Sequence, residues 1–212
     1  MSESQNALLN DVAAYYSEKL TEHGATPQGV DWNGEAGQTL RFTQLTRILP
    51  PAGPYSINDV GCGYGALVEF LKPRFPGYRY AGNDVSIEMV AAAQARYRDD
   101  ANVRITHGST PAEAADYGIA SGIFNVTRGH ADDEWLDYIH ATLDMLDATS
   151  RLGFSFNCLT SYSDAEYMRP DKLYYADPCA LFDRCKRKYS RQVALLHDYG
   201  LYEFTILVRK NV

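Results

Sequence analysis

Three glycines stand within five residues between a predicted strand and a predicted helix, in the segment INDVGCGYGALVEFL at residues 57–71. The apolar residues before them suit a buried strand, and those after them suit the buried face of a helix. A tight strand-to-helix turn needs one glycine at most, so three indicate that the backbone closely approaches something that is not protein. The segment therefore predicts an α/β fold with a ligand site at Gly61, Gly63 and Gly65.

Strands and helices alternate along most of the remaining sequence, which predicts a mostly parallel sheet covered on both faces. The predicted strands are 56–60, 79–83, 102–106, 118–124 and 151–157, and the predicted helices are 64–72, 86–98, 132–147 and 178–189. Two further strand-like runs, 192–197 and 202–209, flank a turn at residues 198–200 and indicate an antiparallel hairpin. We therefore expect an α/β fold with a doubly wound sheet of seven strands, the last of them antiparallel.

The first fifty residues have a different pattern from the rest. Helical spacing of apolar residues predicts helices over residues 5–22 and 37–49, and Pro50 and Pro51 end the second. We expect residues 1–50 to form a helical cover and residues 51–212 to form the α/β domain, in one compact unit.

Bulk properties exclude several classes of protein. A formal net charge of −7 argues against a large nucleic-acid interface, because phosphate binding needs a basic face. The four cysteines form no CxxC pair and have no metal-ligand spacing, so no metal site is predicted. The N-terminus lacks the features of a signal peptide, and no apolar run approaches the roughly 20 residues that span a bilayer. These features predict a cytoplasmic protein without membrane contact; nothing in them indicates an oligomeric state.

Acidic residues stand on both sides of the glycine turn. Gly61, Gly63 and Ala66 match the GxGxxA form of dinucleotide-binding turns, which hold a pyrophosphate. Asp59, two positions before the first glycine, would repel a pyrophosphate but suits a ligand with an ammonium group. Asp84, at the end of the second predicted strand, can accept both hydroxyls of a ribose, which NAD and S-adenosylmethionine share. From these residues alone, both cofactors remain open.

The segment DVGCGYG resembles motif I of the class I S-adenosylmethionine-dependent methyltransferases. The following G-x-D-x-S-x-x-M pattern, formed by Gly82, Asp84, Ser86 and Met89, resembles the second motif of that family. The resemblance covers residues 55–210, although only these two motifs are specific.

The resemblance implies S-adenosylmethionine as cofactor and a set of contacts to it. Asp59 would serve the methionine end, with the three glycines lining its passage, and Asp84 would bind the ribose. Met89 would pack on the adenine, Val85 would also contact the cofactor, and Ser86 would cap the following helix. Many family members have an acid after the third strand to meet the adenine amino group, and here Ser109 would have to replace it. Arg41 is a candidate partner of the cofactor's carboxylate, with an exposed arginine as the equal alternative.

Candidate catalytic residues lie at strand ends and on the predicted cover. Asn125 could hydrogen-bond an acceptor at the end of the fourth strand, or could satisfy loop backbone instead. His197, at the hairpin turn, is a candidate general base, although a surface histidine is the simpler interpretation. Tyr16 lies on the N-terminal helix that is expected to cross the cofactor site.

The sequence favours a methyltransferase that acts on O or N of a small-molecule acceptor. The (Asp/Asn)-Pro-Pro-Tyr turn of nucleic-acid and protein-release enzymes is absent, since Asn125 is followed by Val126 and Thr127. Three alternatives remain: a non-catalytic S-adenosylmethionine-binding protein, a nicotinamide-dependent oxidoreductase and a nucleic-acid methyltransferase.

Overall fold

A seven-stranded sheet forms the centre of the protein in a computed structural model that describes residues 3–30, 32 and 34–210. The strand order is β3-β2-β1-β4-β5-β7-β6. The strands are β1 (Tyr55–Val60), β2 (Tyr78–Asp84), β3 (Val103–His107), β4 (Ala115–Ala120), β5 (Ser150–Leu159), β6 (Gln192–Leu196) and β7 (Glu203–Arg209). Strand β7 is antiparallel to both β5 and β6, and the other neighbouring pairs are parallel. The predicted fold class is confirmed.

Among the described residues, six α-helices cover the two faces of this sheet. They are α1 (Glu3–His23), α2 (Glu35–Leu45), α3 (Ala66–Leu71), α4 (Ile87–Arg96), α5 (Asp132–Thr149) and α6 (Pro178–Lys188). Helices α2, α3 and α4 belong to one buried apolar cluster, and α1, α5 and α6 belong to another. Because side chains alternate across a strand, Ile57 of β1 enters the first cluster and Val60 enters the second. Within the described residues, no helix has the length and apolar character to cross a bilayer.

The N-terminal helix is part of the core. Residues 108–114, which connect β3 to β4, form no helix over the sheet. Leu8, Leu9 and Val12 of α1 are buried in the same cluster as the inner residues of α5 and of strands β1 and β4. Helix α1 therefore covers a sheet face that a longer β3–β4 connection would otherwise cover.

The fourth strand was predicted wrongly at both ends, since it covers Ala115–Ala120 and not 118–124. Gly122 has φ +75°, which an extended strand cannot accommodate, so the chain turns out of the sheet there. The apolar residues beyond the turn are still buried: Phe124 is in the core, and its carbonyl accepts a hydrogen bond from Trp135 Nε1 at 2.8 Å. An apolar run that is buried outside the sheet looks the same in sequence as a strand.

Other predicted boundaries also differ, two of them for a visible reason. Helix α2 ends at Leu45 and is followed by a short 3₁₀ helix, Thr46–Ile48, where the Thr46 hydroxyl donates to the Phe42 carbonyl at 2.7 Å. The connection between β6 and β7 spans residues 197–202 and is longer than the predicted tight turn.

Replacing Leu8 by alanine is expected to lower the free energy of unfolding by about 2–5 kcal/mol, because a fully buried leucine leaves a cavity in the core. Urea denaturation measures this change. Ile87→Ala is the matched control: Ile87 is 60% exposed, so its loss should cost less than about 0.5 kcal/mol. Equal costs for the two variants would contradict the integration of α1 into the core.

Candidate functional site

A cleft opens beyond the carboxyl ends of β1, β2 and β4. It is lined by the turns that follow these strands, by residues 108–110 after β3, and by side chains of α1, α2 and α5. The strand order reverses between β1 and β4, and ligands of doubly wound sheets bind at such a reversal. The cleft therefore lies where the fold itself predicts a binding site.

The three glycines of the first turn all have left-handed backbone conformations, with φ of +71°, +54° and +82° at Gly61, Gly63 and Gly65. Protein packing also restricts two of them. A Cβ at Gly61 would lie 2.3 Å from Ile123 Cγ2, and one at Gly65 would lie 2.5 Å from the Tyr97 ring. At Gly63 the nearest atom would be Val30 Cγ1 at 3.1 Å. The turn therefore requires glycine for conformation and packing as well as for any ligand.

Asp84 joins the glycine turn to the start of α4. Its Oδ2 accepts a hydrogen bond from Gly63 N at 2.8 Å, and its Oδ1 accepts one from Ser86 N at 2.9 Å. Ser86 caps α4 as predicted, since its hydroxyl oxygen accepts from Met89 N at 3.1 Å. Burial raises the pKa of Asp84, and the hydrogen bonds from Ser86 and Gly63 oppose that rise. The two turns that line the cleft are thus held together by one carboxylate.

Asp59 is a buried acid on the other side of the glycine turn. The Tyr80 hydroxyl donates to its Oδ2 at 2.5 Å. Burial raises the pKa of Asp59 from 3.8 to about 7; the Tyr80 hydrogen bond opposes this rise, and the charge of Asp84 adds to it. The sequence interpretation missed Tyr80. The alternation of β2 could have placed it on the same face of the sheet as Asp59.

Two buried polar atoms at the cleft have no hydrogen-bond partner within the described chain: Asn83 Oδ1 and Ser121 Oγ. Asn83 uses only its Nδ2, which donates to the Gly108 carbonyl at 3.0 Å. Buried polar atoms are nearly always paired, so two orphans in one cleft indicate a ligand that satisfies them. Neither residue was singled out from the sequence.

Most of the predicted binding residues border this one cleft. Val85, Met89 and Ser109 line it, and Tyr16 lines it from α1. The cleft also contains residues that the sequence interpretation did not assign to it, among them Tyr138 and Thr142.

Four predicted residues are not among those that line the cleft: Gly65, Asn125, His197 and Arg41. Asn125 lies five positions beyond the end of β4, and its Oδ1 accepts from Leu159 N at 3.1 Å. It satisfies loop backbone, the alternative left open by the sequence. His197 is exposed at the start of the β6–β7 connection, where its ring contacts those of Tyr162 and Phe204. Arg41 is engaged by Glu203 at 2.6–2.8 Å.

Comparison with known proteins agrees with this geometry. Residues 57–146 match a family model described as a methyltransferase domain. The chain is 63% identical over 164 residues to "Putative methyltransferase Rv1506c" of Mycobacterium tuberculosis (strain ATCC 25618 / H37Rv), and the alignment covers 77% of this chain and 98% of that protein.

Solved structures share the fold at low sequence identity. A complex of DhpI with S-adenosylhomocysteine (SAH) has a TM-score of 0.66 and 17% identity, covering 95% of this chain and 96% of DhpI. Magnesium protoporphyrin IX methyltransferase (ChlM) from Synechocystis PCC 6803, with bound SAH, has a TM-score of 0.65 and 13% identity, covering 97% of this chain and 100% of that one. With its motifs, sheet order and close relative, the chain belongs to the class I S-adenosylmethionine-dependent methyltransferases.

Proposed function

We propose that this methyltransferase acts on an oxygen or nitrogen atom of a small-molecule acceptor that enters the cleft beside the glycine turn. The observation that carries the proposal is the pair of buried acids, Asp59 and Asp84, on either side of that turn. Two carboxylates at this position suit a ligand with an ammonium group and ribose hydroxyls, and they disfavour a pyrophosphate.

The residues of the cleft fit S-adenosylmethionine. Each Asp84 oxygen accepts one backbone N–H, which leaves acceptor capacity on both for the two ribose hydroxyls. Asp59 is available to the ammonium group, and Asn83 Oδ1 and Ser121 Oγ offer the unpaired atoms that a polar ligand needs. When bound, this cofactor supplies an electrophilic methyl group on a sulfonium.

The remaining binding residues of the proposal lie along the same cleft. Val85 and Met89 offer apolar surface for the adenine, and Ser109 borders the cleft at the end of β3. Arg41 is left out of the cofactor site because Glu203 already binds its guanidinium.

The acceptor end of the cleft is largely aromatic and apolar. Tyr16, Trp32, Phe42 and Ile123 line it. Such a wall favours a small molecule with an apolar or planar part, and it orients the acceptor while excluding water. ChlM, whose name gives magnesium protoporphyrin IX as its substrate, supports a small-molecule acceptor by analogy of fold. Within the proposal, Tyr16 contacts the acceptor, and Asn125 and His197 have no catalytic role.

SAH is expected to bind the wild-type protein and raise its melting temperature, whereas NAD should not. Asp84→Asn should weaken SAH binding about 10- to 100-fold, since a hydrogen bond to a charged group contributes roughly 1.5–3 kcal/mol. Isothermal titration calorimetry measures this loss. Asp116→Asn is the matched control, because Asp116 also accepts a backbone N–H, from Ser56 at 2.7 Å, but does not line the cleft.

The acceptor class is tested with methyl-labelled S-adenosylmethionine and a cell extract divided by dialysis. We expect label to enter the low-mass fraction. Label confined to protein or nucleic acid would refute a small-molecule acceptor. SAH binding without transfer to any fraction would instead support a non-catalytic binding protein.

SAH affinity is expected to rise with pH through the pKa of Asp59, near 7. Below that pKa the carboxyl is neutral in the free protein, so each lower pH unit should weaken binding by up to about tenfold. Asp59→Asn should bind SAH weakly, with an affinity that does not change over the same pH range. Asp84→Asn is the control: it should bind SAH more weakly yet keep a pH slope, shifted to lower pH because the charge of Asp84 no longer adds to the pKa of Asp59. A slope that persists in Asp59→Asn would contradict the role of Asp59.

The stability of the free protein offers a check that needs no ligand. The pKa of Asp59 is about 7 in the folded protein, against an ordinary value of 3.8. Between about pH 4 and pH 7 the carboxyl is therefore protonated in the folded protein and ionised in the unfolded chain. The folded protein loses stability as pH rises through that window. Asp59→Asn is therefore expected to melt at a higher temperature than wild type at pH 8. Thermal melting monitored by circular dichroism at several pH values measures the difference, which should shrink towards pH 4.

A further inference from the structure

Five residues form a closed ring of contacts beside the acceptor end of the cleft. Arg41 binds Glu203 through Nε, at 2.8 Å to both carboxylate oxygens, and through Nη2 at 2.6 Å to Oε1. Asn157 Nδ2 donates to Glu203 Oε2 at 2.6 Å, and Asn157 Oδ1 accepts from Gly122 N at 2.9 Å. The Arg41 guanidinium stacks 3.8 Å from the centroid of the Trp32 ring. We call this set the Arg41 ring.

Trp32 and Gly122 close the ring by direct contact. A Cβ at Gly122 would lie 2.4 Å from Trp32 Cζ2, so the indole edge rests on the backbone of the turn after β4. These two members line the cleft, whereas Arg41, Asn157 and Glu203 stand behind them. The ring thus connects two walls of the cleft to charged residues outside it.

The Arg41 ring lies close to the methionine side of the proposed cofactor site. Ile123, next to Gly122, contacts the glycine turn closely enough that a Cβ at Gly61 would clash with it. A shift of Trp32 or of the 121–123 turn would therefore change the space beside Gly61. The acceptor must meet the methyl group in that space.

The charges of the Arg41 ring are costly to bury. The Glu203 side chain is 2% exposed and the Arg41 side chain 13% exposed. A buried ion pair often adds little net stability compared with apolar residues, because desolvation offsets the attraction. Its directional hydrogen bonds, however, hold each partner in one orientation, and the planar guanidinium presents a flat face to Trp32.

We propose that Arg41, Glu203 and Asn157 are positioning residues that hold Trp32 against the 121–123 turn and so set the shape of the acceptor wall. The claim that this wall faces the acceptor rests on the proposed function. The claim that the three residues hold Trp32 in place does not rest on it, so an experiment can refute one claim and not the other.

Trp32 fluorescence tests whether the Arg41 ring holds the indole in place. Glu203→Gln removes the charge that orients Arg41 while keeping the shape of the side chain. We expect acrylamide quenching assigned to Trp32 to rise by about twofold or more, because the indole loses its stacked partner. The Trp32→Phe variant gives the contribution of Trp135, which is fully buried. Asp116→Asn breaks an ion pair with Arg151 that is more exposed than the Arg41–Glu203 pair and does not line the cleft, and it should leave the quenching unchanged.

Arg41→Lys decides the outcome if Glu203→Gln does not fold, and the double variant adds a test if it does. Arg41→Lys keeps a positive charge for Glu203 but has no plane to stack on Trp32, so it should also raise the quenching. Combining Arg41→Lys with Glu203→Gln should raise it no more than the larger single effect, because members of one ring act together. Unchanged Trp32 quenching in a folded Glu203→Gln or Arg41→Lys protein, or additive effects in the double variant, would overturn the positioning role.

Transfer of the labelled methyl group tests whether the Arg41 ring shapes the acceptor wall. Glu203→Gln should lower incorporation into the low-mass fraction while SAH affinity stays within about threefold of wild type. An equal loss of both would indicate general collapse of the cleft and overturn the assignment to the acceptor wall. No transfer by the wild-type protein would refute the proposed function, and the fluorescence result would still decide whether the ring orders Trp32.

Discussion

The carboxylate of Asp84 holds the cleft together, since it accepts a backbone hydrogen bond from each of the two turns that form the cofactor side. Gly63 belongs to the turn after β1 and Ser86 to the start of α4 after β2. Without this bridge, the N–H groups of Gly63 and Ser86 would lose their acceptor, and the two turns would keep the bonds that Gly61 N and Cys62 N donate to the Asn83 carbonyl. A buried acid is costly, and here the two N–H donors offset part of the desolvation that raises its pKa. The same oxygen atoms are those that we propose meet the ribose.

Asp59 has a different environment from Asp84, although both are buried at the same turn. Its carboxylate accepts a hydrogen bond from a tyrosine hydroxyl rather than from two backbone N–H groups, and burial moves its pKa to about 7. A carboxyl group in this state is poised to ionise when a cation arrives. The two acids therefore suit different parts of one ligand: a structural carboxylate for hydroxyl groups and a titratable one for an ammonium group.

The opposite wall of the cleft is built from parts of the chain that are distant in sequence. Helix α1 covers the sheet beside the short β3–β4 connection, which brings Tyr16 to the cleft. The Arg41 ring joins the loop before α2 to β5 and β7, through residues as far apart as Arg41 and Glu203, which are 162 positions apart. On our proposal, the cofactor side is thus formed by local turns and the acceptor side by long-range contacts.

The sequence by itself determined the sheet, the glycine turn, the positions of Asp59 and Asp84 at strand ends, and the Ser86 cap. These features follow from periodicity and from spacing within a few residues, which the backbone converts directly into geometry. Only the tertiary structure decided that β4 ends before Gly122, that Arg41 binds Glu203, and that Asn125 satisfies Leu159. It also decided that Asn83 and Ser121 have buried atoms with no partner in the described part of the chain. Each of these outcomes depends on a partner, or the lack of one, that folding brings from a distant part of the chain, and no local pattern records it.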